Sequence, residues 1–468
     1  MPAELTRIVG PDHVLTEPGL IRGYTTDWTG RYRGSAALVV RPGTSAEVAA
    51  TLRACATAGA GVVPQGGNTS LVGGATPSAG QVVLSTTRLD SLGPVDAAEA
   101  AVTVGAGATL GAVRAHVAPF GLVPAVDLAS RDSATIGGMV ATDAGGIHVV
   151  RHGSMRRQVL ALEAVLADGT IVGRADRPIT AGGGFDLPAL LAGSEGTLAV
   201  VTAVRLRLVP AWRARATAMV AFDGVGAAVA ATHALRARLP DLDAVELVDR
   251  AGIELGLDRG LAPPFTPLPP VCLLVETAAD RSTVDELAAS LDRLPGVVDA
   301  LLADDGPGRR RLWAFREELT ETIAALGVPH KLDVGLPLEA VEPFVDALGP
   351  LVHGLDPGAR VIVFGHLAVG NLHVNVLGPG PEDERVDDAI LALVIEHGGS
   401  IAAEHGIGRA KARWLTRARP AWELALQAAI KQALDPAGIL NPGVLDPAPT
   451  NRADGHAAPA GRPGPDGR

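Results

Sequence analysis

The residues best equipped for chemistry in this chain lie in its last quarter. His366 and His373 stand seven apart in GHLAVGNLHVN, and Glu404 and His405 follow in SIAAEHGIG. The β-rich arms VIVFGH and LHVNV around LAVGNL read as a hairpin with a six-residue connection. That register sets the two imidazoles opposite each other across the ladder. Asn375, two residues beyond His373, projects from the same strand face. With Glu404, expected at the end of a strand, as third ligand, the set describes a divalent-metal site with positions left open for water or substrate. Zinc, manganese and iron all accept it. The competing reading makes these histidines hydrogen-bonded packing residues, and the cluster alone also suits a colourless metal-dependent hydrolase.

A second chemical signal is glycine-rich. In PQGGNTSLVGG, Gly66, Gly67, Gly73 and Gly74 let the backbone approach a ligand, and consecutive N–H groups beside Asn68, Thr69 and Ser70 form an anion nest suited to a pyrophosphate, unless the segment is an ordinary turn. VTVGAGATLGAV imitates a dinucleotide fingerprint through Gly105, Gly107 and Gly111, with Asp127 downstream. Its last spacing is one residue too long, and no clean second strand follows, which argues against a nicotinamide site.

The elements that position these residues fall into two textures. Residues 35–210 alternate short β-rich runs (AALVVRP, QVVLSTT, LEAVLADGTIV) with glycine turns and helical stretches such as TSAEVAATLRACATAG. Residues 211–446 carry longer helical patterns between strands such as VCLLVET and ARVIVFGHL. Residues 1–34 form an N-terminal segment, and 447–468, rich in Pro, Gly, Ala and charge, read as a disordered tail. At 468 residues, two or three domains are expected. Apolar residues make up 47% but aromatics only 3%, so the cores must be mostly Ala, Val and Leu. A net charge of −11 without a basic stripe argues against nucleic acid. No secretory signal or long uncharged apolar run is readable, so no integral membrane segment and a cytoplasmic location are expected. Cys55 and Cys272, in apolar settings, read as buried thiols.

Three stretches together are more specific than any one. PQGGNTSLVGG, DLASRDSATIGGMVATDAGG and AGSEGTLAVVT resemble the flavin-binding domain of the vanillyl-alcohol oxidase superfamily over nearly all of residues 35–210. The resemblance implies an FAD with its pyrophosphate held by Gly66, Gly67, Asn68, Thr69 and Ser70. Pro64, Ser130, Thr135, Gly137 and Gly138 would line the cofactor, with Val200 near the adenine end. Neither His nor Cys occurs at the positions where some members link the flavin, so FAD is expected to be noncovalent.

GHLAVGNLHVN, AAEHGIGRAK and LDPAGILNPG resemble the C-terminal half of the FAD-linked D-2-hydroxyacid dehydrogenases, and YTTDWTGRYRG is similar too. The implied architecture is α+β, a flavin domain followed by an α+β substrate (cap) domain whose end returns to the flavin with Asn441. The implied activity is oxidation of a small D-2-hydroxyacid, of the D-2-hydroxyglutarate or D-lactate class. Electrons would pass to an electron-transfer protein, quinone or cytochrome. Carried over by motif, His366, His373 and Glu404 bind the metal, with zinc the expected ion, Asn375 touches substrate and His405 is the base. Arg316, Thr320 and Lys331 grip the substrate carboxylate; Arg316 and Thr320 are expected on one face of the helix LWAFREELT. Outside the family, Arg316 reads as a solvated partner of Glu317 or Glu321. Ala368 and Val369 replace the usual Gly-Asp, so a hydrogen-bonding group beside the metal loop is expected to be missing. The alternative within the superfamily is a non-redox transferase resembling alkylglycerone-phosphate synthase.

Overall fold

The computed structural model describes residues 1–78, 80–176 and 183–446. The expected disordered tail, 447–468, lies outside the described residues. Short runs of Val, Leu and Ala form three sheets, and each sheet's position follows from which of its faces are apolar. The first orders its strands Val14–Leu15, Ala36–Val40, Gln81–Ser85 and Val62–Gln65, the last three parallel. Parallel strands need a crossover, supplied between Ala36–Val40 and Val62–Gln65 by helix Ser45–Thr57. Thr44 caps that helix by accepting from Glu47 N, worth about 1 kcal/mol in such positions. Strand Val14–Leu15 and helix Pro2–Val9 pack onto this unit, so the N-terminal segment belongs to its core.

The second sheet is antiparallel and runs Leu92–Asp96, Ala101–Gly105, Val200–Pro210, Val159–Val165 and Ile171–Gly173, with Leu122–Pro124 also pairing Val200–Pro210. It explains the false dinucleotide fingerprint. A Cβ on Gly105 would lie 2.0 Å from Leu89 O, and one on Gly107 2.1 Å from Thr86 O. These glycines serve close packing of the chain on itself, in an antiparallel sheet with no Rossmann crossover.

The third sheet is also antiparallel, in the order Val297–Ala303, Ala214–Phe222, Val271–Ala279, Leu242–Asp249, Arg360–Gly365, Asn371–Leu377, His330–Gly335. Helices Val225–Arg238, Leu338–Leu355 and Glu384–Glu396 cover one face, burying Phe344, Leu348 and Ile390 against Leu332, Leu372 and Val374. Helices Arg250–Asp258, Gly306–Glu317 and Leu319–Leu326 cover part of the other, around Ile362 and Phe364. Because strand side chains alternate, the residues between those apolar ones in the last two strands emerge on this second face. They are Lys331, Asp333, His373 and Asn375. The chain end then returns to the first sheet: Asn441 N donates to Val62 O, and Val62 N to Ile439 O, each at 2.7 Å.

Cys55 and Cys272 are buried free thiols in separate cores, and burial pushes them up to about 11 and about 12.

Candidate active site

A cavity of about 520 Å³ lies between the loops of the first two sheets and the polar face of the third. The proposed catalytic, substrate, metal and cofactor residues all line it, drawn from both halves of the chain, whereas Gly73 does not. On the side of the first two sheets, loop 66–70 leaves strand Val62–Gln65 and meets the loop before helix Ile136–Thr142 at very short range. A Cβ on Gly66 would fall 2.1 Å from Thr135 Oγ1, and one on Gly67 1.8 Å from Ser133 O. Thr135 is the N-cap of that helix and accepts from Gly138 N. Gly137 likewise has no room for a Cβ, which would meet Ala106 Cβ at 2.6 Å. Asn68, at φ 53°, donates through Nδ2 to Gly23 O and Thr26 O. Asn441 donates to Gly74 O and Glu195 O. The Oδ1 atoms of both Asn68 and Asn441 are buried and take no hydrogen bond from the described residues. Ser70 Oγ accepts from Val72 N and Gly74 N, Ser130 lies on the rim loop, and Val200 is a buried strand start.

On the opposite side, three imidazoles surround one carboxylate oxygen. The Nε2 atoms of His366, His373 and His405 lie 3.2, 3.5 and 3.7 Å from Glu404 Oε1. The far nitrogens of the first two are backed by carboxylates: His366 Nδ1 is 2.6 Å from Glu246 Oε1, and His373 Nδ1 is 3.4 Å from Asp333 Oδ1. The second contact is too poorly aligned to satisfy His373 Nδ1. His405 stacks on His373, ring centroids 5.0 Å apart and planes 6° from parallel. Burial opposes charge on His366, but Glu246 and Glu404 outweigh it and hold the imidazole protonated up to about 10. His405 has the opposite balance: burial dominates and lowers it to about 4, so it is neutral at pH 7. Burial also opposes ionisation of Glu404, yet the three histidines keep it well below the ordinary carboxylate range.

Several local expectations need correction. His373 pairs with Phe364, not His366, because a 3₁₀ turn at Leu367–Val369 and a left-handed Gly370 take up the connection. His366 lies just past its strand and reaches the cluster at its rim, the rings 5.2 Å apart. Glu404 is on no strand. It sits in a coil pinned by Asp333 Oδ2, which accepts from the N–H groups of Ala403, Glu404 and His405 at 2.8–2.9 Å. Arg316 lies in the last turn of helix Gly306–Glu317 and Thr320 in the first turn of helix Leu319–Leu326, the break falling at Glu318. Arg316 is 8% exposed, donates through Nε to Glu246 Oε2 at 2.7 Å and stacks over Phe364; Glu317 and Glu321 are not its partners. Val369 is 44% exposed, and neither it nor Ala368 lines the cavity.

Lys331 and Asn375 are cross-strand partners in the cavity wall. The Lys331 ammonium lies 4.9 Å from the Trp28 ring centroid, and burial lowers it to about 8. The important residues the sequence reading missed are Asp333, Glu246 and Glu195. The available signal was an acid inside an otherwise apolar strand, as in DAVELVD and KLDVG. Asp333 Oδ2 is saturated by backbone donors and Oδ1 takes Asn371 Nδ2 at 2.6 Å. Although Asp333, His373, Glu404 and His405 offer ligand atoms within 4.8 Å of one another, Asp333 is thereby better suited to holding the Glu404 coil than to ligation.

Residues 212–445 match the family described as FAD linked oxidases, C-terminal domain, and residues 36–173 match the FAD binding domain family. The chain belongs to the FAD-linked oxidases. Among the relatives of this FAD-linked oxidoreductase, the mitochondrial D-2-hydroxyglutarate dehydrogenase of Bos taurus is 36% identical, with 94% of this chain and 82% of the relative aligned. The D-2-hydroxyglutarate dehydrogenase of Xanthomonas citri pv. viticola is 35% identical over 93% and 95%. p-Cresol methylhydroxylase with substrate bound shares the fold at a TM-score of 0.78 and 16% identity, covering 95% of both chains. The FAD-linked oxidase offers groups that fit its cofactor at the wall formed by loop 66–70 and Asn441. The unpartnered Asn68 and Asn441 oxygens offer the acceptors that ribityl hydroxyls and a ring N–H require. Once a divalent cation displaces the His366 Nε2 proton, the carboxylate-backed imidazoles around Glu404 likewise form a donor set that fits it.

Proposed function

We propose that this protein oxidises a small D-2-hydroxyacid, of the D-2-hydroxyglutarate or D-lactate class, to the 2-oxoacid. FAD is bound noncovalently, and a divalent cation, for which zinc is the expected ion, is held by His366, His373 and Glu404. The observation that carries this reading is the convergence of three imidazole Nε2 atoms on Glu404 Oε1 inside the cavity whose other wall is the glycine loops. When bound, the flavin accepts the hydride from C2 and the cation acts as a Lewis acid on the substrate hydroxyl.

The chain's own residues supply the rest. His405 is neutral, and its Nε2, 3.7 Å from Glu404 Oε1 and beyond hydrogen-bond range, is available to take the hydroxyl proton. Arg316 has its Nε fixed by Glu246 and its plane against Phe364, which leaves its terminal nitrogens to grip a carboxylate by two parallel bonds. Thr320 and Asn375 add neutral polar groups beside it. Lys331, a second cation in the same wall, suits a substrate with a second anionic group. An electron-transfer protein, quinone or cytochrome reoxidises the flavin. Among the described residues no helix is long and apolar enough to cross a membrane, and a cytoplasmic location remains the expectation.

The test is anaerobic mixing of purified protein with a panel of D- and L-2-hydroxyacids, following flavin absorbance. Bleaching by D-acids alone is the expected outcome. If no hydroxyacid bleaches the flavin, the redox reading falls in favour of a non-redox transferase.

A further inference from the structure

Glu195 is a carboxylate buried in the flavin domain that the mechanism above does not use. Its backbone is fixed on three counts. It holds φ 50°, its N–H donates to Ala141 O in helix Ile136–Thr142, and its C=O accepts from Asn441 Nδ2. The side chain then leaves the flavin domain and accepts from Ile407 N at 2.7 Å and Gly408 N at 2.8 Å. No cation lies within ion-pair range of it among the described residues, so those two amides are its main compensation for burial. The next two amides, Arg409 N and Ala410 N, donate to Val72 O, again in the flavin domain. Immediately upstream, the amides of residues 403–405 are held by Asp333 of the other domain. The short segment carrying Glu404 and His405 is therefore strung between two carboxylates, one from each domain.

We infer that Glu195 is a positioning residue: a strut from the flavin-binding wall that fixes Glu404 and His405 relative to the cofactor. The inference rests on the roles proposed above for those two residues. Glu195→Gln keeps the volume but turns an N–H donor toward an amide donor. Gly406→Ala attacks the same contact from the other side, since a Cβ there would stand 2.8 Å from Glu195 Oε1 at a residue with φ +84°.

Both variants and their combination are prepared as holoproteins. Flavin reduction is measured by rapid mixing at saturating D-2-hydroxyacid, together with FAD content and amide hydrogen exchange. Each single variant is expected to keep its FAD, to speed exchange in the peptide spanning 403–408 but not in 64–74 or 136–142, and to slow reduction at least about tenfold, the scale of a small misplacement. The double variant should be no more than about twofold slower than the worse single one, because both remove one contact. Unchanged exchange at 403–408, normal reduction despite faster exchange, or multiplying defects would each overturn the inference. So would loss of FAD in both variants, which would make Glu195 part of the cofactor fold only. If no hydroxyacid reduces even the unaltered protein, the proposed function fails, while the exchange measurement still decides whether the strut exists.

Discussion

Glu246 joins two residues of the proposed site, His366 and Arg316, and replacing it with glutamine has consequences that can be worked out. The side chain is fully buried, with Oε1 on His366 Nδ1 at 2.6 Å and Oε2 on Arg316 Nε at 2.7 Å. Glu246→Gln preserves shape but removes the charge and points an N–H at one of two donors. Breaking a buried pair from one side costs about 3–5 kcal/mol. At roughly 2–4 °C per kcal/mol for a domain of this size, the thermal midpoint should drop by about 6–20 °C near pH 6. The deficit should depend on pH with a definite sign. The folded state raises His366 to about 10, so its contribution to stability is complete below its ordinary value of 6.5 and is lost as pH rises through 10. Glu246 supplies much of that effect. The gap between the original and substituted proteins should therefore narrow between pH 6 and about pH 10, without closing, since Glu404 also faces His366 and Arg316 stays charged. Thermal scans of chelator-treated samples at the two pH values measure it. A gap of equal size at both, or none at pH 6, would refute the reasoning.

Three further outcomes are expected. His405→Asn should retain FAD and metal while flavin reduction slows by roughly 100-fold or more, as for loss of a general base; an unchanged rate removes His405 from the chemistry. A chelator should abolish turnover with the flavin still bound, and His373→Ala should reproduce this; full activity in a preparation shown metal-free by elemental analysis contradicts the ligand set. Because burial lowers Lys331 to about 8, KM for a dicarboxylate hydroxyacid should rise as pH passes through 8, and Lys331→Met should abolish that rise while leaving a monocarboxylate little affected.

What could be read from the sequence was residue type and local pattern. His366, His373, Glu404 and His405 declared themselves because ligand-type side chains clustered within forty positions, and the glycine loops because their spacing allows close approach. What failed was geometry that only packing decides. VIVFGHLAVGNLHVNV looks like a symmetrical hairpin, but a 3₁₀ turn and the left-handed Gly370 shift the register so that Phe364, not His366, opposes His373. LWAFREELT has no glycine or proline to interrupt it, yet the helix breaks at Glu318, which lets Arg316 turn inward to Glu246 while Leu319 and Ile323 begin a second packed stretch. Asp333, Glu246 and Glu195 were invisible as partners because each acts on residues 38 or more positions away, and a single sequence carries no pairing information across such distances.

These three acids share a physical logic. An isolated carboxylate taken from water is prohibitively costly, so each is retained only where buried donors meet it: Arg316 and His366 at Glu246, backbone amides and Asn371 at Asp333, two amides at Glu195. Replacing any of them with an apolar residue would relieve one burial cost and orphan the donors opposite. That asymmetry makes them restraints rather than stabilisers. Each restrains a different part: Glu246 fixes Arg316 and His366, Asp333 fixes the Glu404 coil to its own sheet, and Glu195 fixes that coil to the flavin domain. A site whose reacting parts come from two domains needs such restraints because loop geometry alone does not hold side chains to the fraction of an ångström that hydride and proton transfer require.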